Sequence, residues 1–301
     1  TFQDQPGQPY SYKYGSLQHN DRNTRHQAIQ HNLDVLALGY ELGAPALVVW
    51  LADGSSYPGQ ASMRQNLLNV QDSLSSIYNA LPANMKMLIE YKPFEPHFYS
   101  TTIPDWGTSA YLANGLGDRA LTLVDLGHHL PNTNIEQIVS VLLLQGKLGG
   151  FHFNDSKYAD DDLTVGCIKP FQLFLIMNEM VEACEGQFHK LNDALCWMID
   201  ASHNLKDPLE DLMQSFEAIM IALAQALLVD RDLLKAARAD NDVTGCQEIL
   251  QQAYRSDVRA LVAEARLRKG CAYAPVTCYR EAGIRKHLIS LRGSGSKASG
   301  L

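Results

Sequence analysis

Glu90 and Lys92 stand two residues apart in MLIEYKP, a spacing that projects both from one side of an extended strand. Three later apolar runs also finish on groups that can do chemistry. LVDLGHH ends on Asp125 with His128 just beyond it, GGFHFND carries His152, and WMIDASH ends on Asp200. The loop after His152 adds Asp160 and Asp162 within YADDDL. Carboxylate oxygens and imidazole nitrogens together suit a divalent cation such as Mn2+, Co2+, Mg2+ or Zn2+. Lys92 is a poor ligand while charged and better suited to donate to a substrate oxygen.

Taken singly, each group has an ordinary structural alternative. A strand-end acid such as Asp200 also caps the next helix. An Asp160-Asp161-Asp162 run also occurs in solvated loops, and His152 alone reads as a core histidine. Together they form a series, because four strands deliver carboxylate or imidazole to one rim and charge on apolar strands needs compensation. There are enough ligands for two ions. Glu90, Asp125, His152 and Asp200 make one set; Asp125, His128, Asp160 and Asp162 make the second, with Asp125 bridging.

The elements that must position these groups are short β-rich runs at Ala46–Trp50, Met87–Tyr91, Leu121–Asp125, Gly149–Phe153 and Cys196–Asp200. They lack strict polar alternation, as parallel strands covered on both faces do. Amphipathic stretches lie between them, at Ser62 to Leu81 and Asn134 to Gln145, and polar loops such as Asp53-Gly54-Ser55-Ser56 follow the strands. Alternating strand and helix predicts a parallel α/β fold, whose chemistry in a barrel sits at the C-terminal strand ends. Five visible strands fall short of the eight a closed barrel needs. From about Pro208 the pattern turns helical, with runs at Leu209 to Val229, Leu233 to Gln252 and Asp257 to Lys269, and Gly293 to Gly300 reads as a disordered tail. The expected organisation is a partial barrel over 1–207, a helical extension with oligomer contacts over 208–292 and the tail over 293–301.

At 301 residues, with 46 % hydrophobic and 19 % charged side chains, the chain has the composition of a folded enzyme. A formal charge of −8 disfavours nucleic acid as a partner. Six cysteines without a CxxC pair read as reduced thiols of a cytoplasmic protein. No apolar run approaches the roughly 20 residues of a membrane span, so no membrane partner is expected.

ExK on one strand, DxxH on the next, His on the third, DxD in its loop and Asp on the last resemble the two-metal site of the xylose-isomerase-like sugar isomerases. WLADGSSYPGQ, IEYKPFEP, LVDLGHHLPNTNIEQIV and MIDASHNLKDPLE look more closely like the bacterial L-rhamnose isomerases of broad specificity. The resemblance runs from about Thr1 to Gly283. It implies a (β/α)8 TIM barrel lacking its first two to three strands here, since TFQD resembles the end of the third strand, followed by the helical extension. The missing initiator methionine fits the expectation of a truncated chain.

The resemblance further implies aldose–ketose isomerisation, L-rhamnose to L-rhamnulose and related sugars, by a metal-mediated 1,2-hydride shift. Two divalent ions per chain are expected, Mn2+ foremost. Lys92 would stabilise O1, while Asp200 or the Asp160/Asp162 pair assists the hydroxyl proton. Trp50, ending its strand, reads either as an apolar wall for the sugar or as a core tryptophan, and Phe2 lines the pocket on resemblance only. His203 reads as a support near Asp200; His129 is not counted. Partners are then a small aldose or ketose and, for the complete protein, further copies in a homodimer or homotetramer. The competing readings are a sugar epimerase on the same scaffold, which needs two carboxylates free as acid and base, and an inactive truncated remnant.

Overall fold

A computed structural model describes residues 4–184, 187–201 and 205–293. All five expected strands form: β1 (Ala46–Val49), β3 (Lys86–Glu90), β5 (Ala120–Asp125), β6 (Leu148–Phe153) and β7 (Cys196–Ile199). They make one sheet in the order β1-β3-β5-β6-β7, and the β1–β3, β3–β5 and β5–β6 pairs are parallel. This is a half-barrel arrangement. Two short strands, β2 (Gly54–Ser55) and β4 (Ser100–Thr101), pair as a separate antiparallel ribbon that the periodicity did not reveal. At two residues each they are too short to carry a pattern.

Helices alternate with the strands: α1 (Arg22–Glu41), α2 (Met63–Asn79), α3 (Trp106–Leu116), α4 (Ile135–Leu144), α5 (Pro170–Ala183) and α6 (Phe188–Ala194). Side-chain caps start most of them. Asp21, Ser62, Asp105 and Asn134 accept from the N–H groups of Thr24, Gln65, Thr108 and Gln137. The helical tail contains α7 (Pro208–Leu227), α8 (Arg231–Ala239), α9 (Val243–Tyr254), α10 (Arg259–Arg268), α11 (Pro275–Glu281) and α12 (Ile284–Arg292). The single helix expected over Leu233 to Gln252 is two. Asn241 takes a positive φ of 56°, and Asp242 caps a new start by accepting from Gly245 N–H.

The described chain forms two compact units that interleave in sequence. One comprises residues 4–152, 158–160 and 187–198; the other comprises 153–157, 161–184, 199–201 and 205–293. The division therefore falls at the end of β6 and in its loop, and near residue 199. The Gly/Ser-rich stretch expected to be disordered lies outside the described residues except for Gly293.

In the first unit, strand alternation sorts two apolar layers. Met87 and Ile89 of β3 join Leu47, Val49, Val70, Leu74, Ile77 and Leu112 in a core involving α2 and α3. Leu88 instead groups with Leu121 and Leu123 on the other side of the sheet, beside Val48 and Met198. Fully burying such a side chain contributes about 1.5–3 kcal/mol. In the second unit, α5 packs on α7, and Phe171, Phe174 and Tyr254 form an aromatic cluster. Arg231 bonds Asn178 Oδ1 at 2.7 Å and Glu182 at 3.3 Å. All six cysteines are unpaired, and among the described residues no single helix is long and apolar enough to cross a membrane.

Candidate metal centre

The period of two that buries Leu88 with Leu121 and Leu123 carries Glu90 and Asp125 onto that same face, at the C-terminal ends of β3 and β5. Getting His152 beside them requires a correction in register. Thr122 pairs with Leu148, but Leu123 pairs with Gly150, so one residue of β6 is skipped and Asp125 then faces His152. The glycines make this possible. A Cβ on Gly149 would stand 2.5 Å from Leu88 Cδ2, and one on Gly150 would stand 2.3 Å from the Cys196 carbonyl.

Two ligand clusters result. Single donor atoms of Glu90, Asp125 and His152 lie within 4.8 Å of one another, as do those of Asp125, His128 and Asp160. Asp125 belongs to both. His152 Nδ1 is 3.1 Å from Glu90 Oε1 and 3.5 Å from Asp125 Oδ2. His128 Nδ1 is 3.3 Å from Glu90 Oε1, while its Nε2 is 3.2 Å from Asp160 Oδ1. A tight turn sets His128 in place: Gly127 N–H donates to Asp125 Oδ1 (2.7 Å) and His128 N–H to Asp125 O (3.3 Å).

Burial and charge pull against each other here. Burial opposes protonation of His128, yet hydrogen bonds with Asp160 and Glu90 and the nearby charge of Asp125 push its pKa up to about 10. His152 also reaches about 10 against its burial, through Asp125 and Glu90. Burial likewise opposes ionisation of Glu90, but the two imidazoles hold its carboxyl below the usual range. Asp160 is held well below that range, against burial, by His128 and Lys92. Protons thus supply the compensation that divalent ions would otherwise supply, and the oxygen and nitrogen donor set fits such ions.

Lys92 stands at the edge of the centre. Its Nζ is 2.7 Å from Asp160 Oδ2 and 2.7 Å from Glu95 Oε1, and it lies 5.2 Å from the centroid of the Trp50 ring. Trp50 is therefore a platform for the ammonium, a relationship the sequence did not suggest. Glu95 was also missed; its only signal was a position three residues after Lys92.

Asp162 and Asp200 belong to the second unit and to neither cluster. Asp162 takes a φ of 47° and accepts from Asn154 Nδ2 at 3.4 Å; Asp200 is exposed and its N–H donates to Phe153 O at 2.9 Å. The loop bearing both Asp160 and Asp162 is closed at its base by two hydrogen bonds between Asp155 and Leu163. Asp155 also accepts from Ile168 and Lys169 N–H groups at the start of α5. Phe2 and His203 lie outside the described residues.

Two relatives named "Probable sugar isomerase" match nearly the whole chain at 48 % identity. The match to that of Rhizobium meliloti covers 97 % of this chain and 67 % of the relative. The match to that of Mesorhizobium japonicum covers 100 % and 69 %. The chain thus spans about two thirds of the length of each. No family model matches. Among solved structures, an L-ribulose 3-epimerase superposes with a TM-score of 0.51 at 14 % identity, over 79 % of this chain and 73 % of that one. A D-tagatose 3-epimerase-like protein gives 0.52 at 17 %, over 68 % and 74 %. The IOLI protein, solved with a zinc atom, gives 0.51 at 10 %, over 70 % and 74 %. At these identities the structures speak for the fold alone.

Proposed function

The chain belongs to the sugar isomerase family of its two rhizobial relatives, and from that premise we propose that it carries the metal centre of an aldose–ketose isomerase acting on L-rhamnose and related sugars. The observation that carries this reading is the convergence of Glu90, Asp125 and His152 with His128 and Asp160, with the Lys92 ammonium ion-paired to Asp160 at the edge. Glu90, Asp125 and His152 would hold one divalent ion; Asp125, His128 and Asp160 would hold a second. Mn2+ is the preferred ion of this proposal. Bound ions supply Lewis acidity toward the sugar's carbonyl and hydroxyl oxygens.

The chain's own groups do the rest. Two Lys92 N–H bonds are directed at Asp160 and Glu95, so the third is available to donate to sugar O1 and stabilise negative charge developing there. Asp160, kept ionised by its neighbours, would accept a hydrogen bond from the hydroxyl whose proton moves between O1 and O2 and so help orient it. With Glu90, Asp125 and Asp160 committed to ligation, no carboxylate of the clusters remains as a base on carbon. That favours a hydride shift between C1 and C2 over an enediol.

The test combines metal analysis with sugar conversion, on this chain and on a chimaera restored to the length of a rhizobial relative. Two divalent ions per chain and rhamnose-to-rhamnulose turnover support the reading. Epimerisation of a ketose at C3 without aldose formation would move the proposal to the epimerases. A folded, metal-loaded chimaera that converts no sugar would defeat both.

A further inference from the structure

Tyr91 is attached to two consecutive histidines at once. Its carbonyl oxygen lies 3.0 Å from His128 Nδ1, and its phenolic oxygen lies 2.6 Å from His129 Nε2. The Tyr91 and His129 rings meet edge to face, with centroids 5.4 Å apart and planes at 81°. Alternation along the chain sends the Tyr91 ring away from the side that carries Glu90 and Lys92, and the ring is buried at 1 % exposure.

A carbonyl oxygen can only accept, so the contact to Tyr91 places a proton on His128 Nδ1 and turns Nε2 toward Asp160. Nε2 is then the nitrogen available for an ion shared with Asp125 and Asp160. The alternative is close by: Glu90 Oε1 lies 3.3 Å from the same Nδ1 and competes for its proton. The turn bonds within residues 125–128 fix the backbone but leave the His128 ring orientation open. The second tie, from the Tyr91 phenol to His129, anchors the far end of that turn to the segment that supplies the accepting carbonyl. The phenol and His129 Nε2 share this one hydrogen bond, with the direction set by the His129 tautomer.

We infer that Tyr91 and His129 are positioning residues: they form a clasp that presents His128 Nε2 to the second metal ion, a role that rests on the proposed two-ion centre. Supporting groups of this kind typically alter metal affinity 10- to 100-fold, about the size expected here. Because the two residues make one hydrogen bond, their effects should not add.

The experiment titrates the metal-free full chain, its Tyr91→Phe and His129→Asn variants and the double variant with Mn2+ against a chelating indicator. The expected result is tight binding of the first ion in all four proteins, with the second ion weakened roughly 10- to 100-fold in each single variant and no further in the double. Unchanged affinity for the second ion in either folded single variant overturns the clasp. Equal weakening of both ions also overturns it, since that is what general loosening of the core would do. A parent chain that binds fewer than two ions instead defeats the two-ion reading beneath it, before any variant is compared. His129→Asn leaves the buried ring of Tyr91 untouched and guards against a folding failure in Tyr91→Phe.

Discussion

The carboxylate of Asp160 is divided between two cations: Oδ2 lies 2.7 Å from Lys92 Nζ and Oδ1 lies 3.2 Å from His128 Nε2. One side chain thus joins a residue suited to holding sugar oxygen to a residue suited to holding an ion. An ion arriving at Asp125, His128 and Asp160 must displace the His128 Nε2 proton but can leave the Lys92 pair intact, because the two cations use different oxygens. The Lys92 ammonium and the candidate ligand cluster are coupled through this one group.

Lys92→Met separates the two roles. The ligand set is untouched, so metal content should stay as in the parent, while loss of a donor to the developing O1 charge should lower kcat roughly 10²- to 10³-fold. Steady-state kinetics with metal analysis on the same samples check this. An unchanged kcat removes Lys92 from the chemistry.

Asp160→Asn takes the opposite path. It removes an anionic ligand from the second cluster and leaves Glu90, Asp125 and His152 complete. One ion per chain should remain bound where the parent holds two, and the His128 pKa should fall toward its ordinary value as the Asp160 carboxylate beside it disappears. Metal stoichiometry and imidazole NMR titration of the metal-free form read the two effects. A variant still holding two ions with parental affinity would take Asp160 out of the second site.

How much of this centre the sequence displayed depended on the range of the interaction. Glu90, Asp125 and His152 were readable because each sits at a strand end and a parallel α/β sheet gathers such ends. Asp160 and Asp162 look alike in sequence, and only the structure gives each its contacts: Asp160 meets His128, and Asp162, at positive φ, accepts from Asn154. The skipped residue in β6 lies at Gly149-Gly150, and nothing in the order of residue types marks it. Tyr91, Glu95 and the Trp50–Lys92 contact escaped because ordinary residue types acquire those roles only through packing. The break between α8 and α9 was written in Asp240-Asn241-Asp242, a turn-and-cap sequence that apolar periodicity alone ran across.

The loop after β1 yields a stability prediction with no metal in it. Asp53, 1 % exposed, accepts from Ser16 N–H (2.8 Å), Ser16 Oγ–H (2.8 Å) and Gln18 N–H (3.0 Å), tying two segments 35 to 37 residues apart. Asp53→Ala strands three buried donors, and should cost about 3 kcal/mol at neutral pH. Urea unfolding measures it. A loss under about 0.5 kcal/mol, the scale of an ordinary surface change, would mean that water replaces the carboxylate freely.

The metal-free centre should make stability fall as pH rises through neutrality, and metal should remove that dependence. His128 and His152 have ordinary values near 6.5 and folded values of about 10. A group with a raised folded pKa contributes its full stability below the unfolded pKa, and that contribution is lost as pH rises through the folded value. Between pH 6.5 and about 10 the metal-free fold therefore loses the ion pairs of both histidines with Glu90, Asp125 and Asp160. The depressed carboxyls of Glu90 and Asp160 have the opposite sign: their contribution is present above the ordinary carboxylate range and lost as pH falls through the folded values. Stability in chelator should accordingly peak between that range and pH 6.5. Divalent ions require neutral imidazole, so their binding at pH 8 should release about two protons per chain, one from each histidine. Urea midpoints at pH 6, 8 and 9.5, in chelator and in excess Mn2+, test the first statement; proton release during titration of unbuffered protein tests the second. A midpoint in chelator that rises from pH 6 to 9.5 would show that the two histidines are already neutral in the metal-free fold.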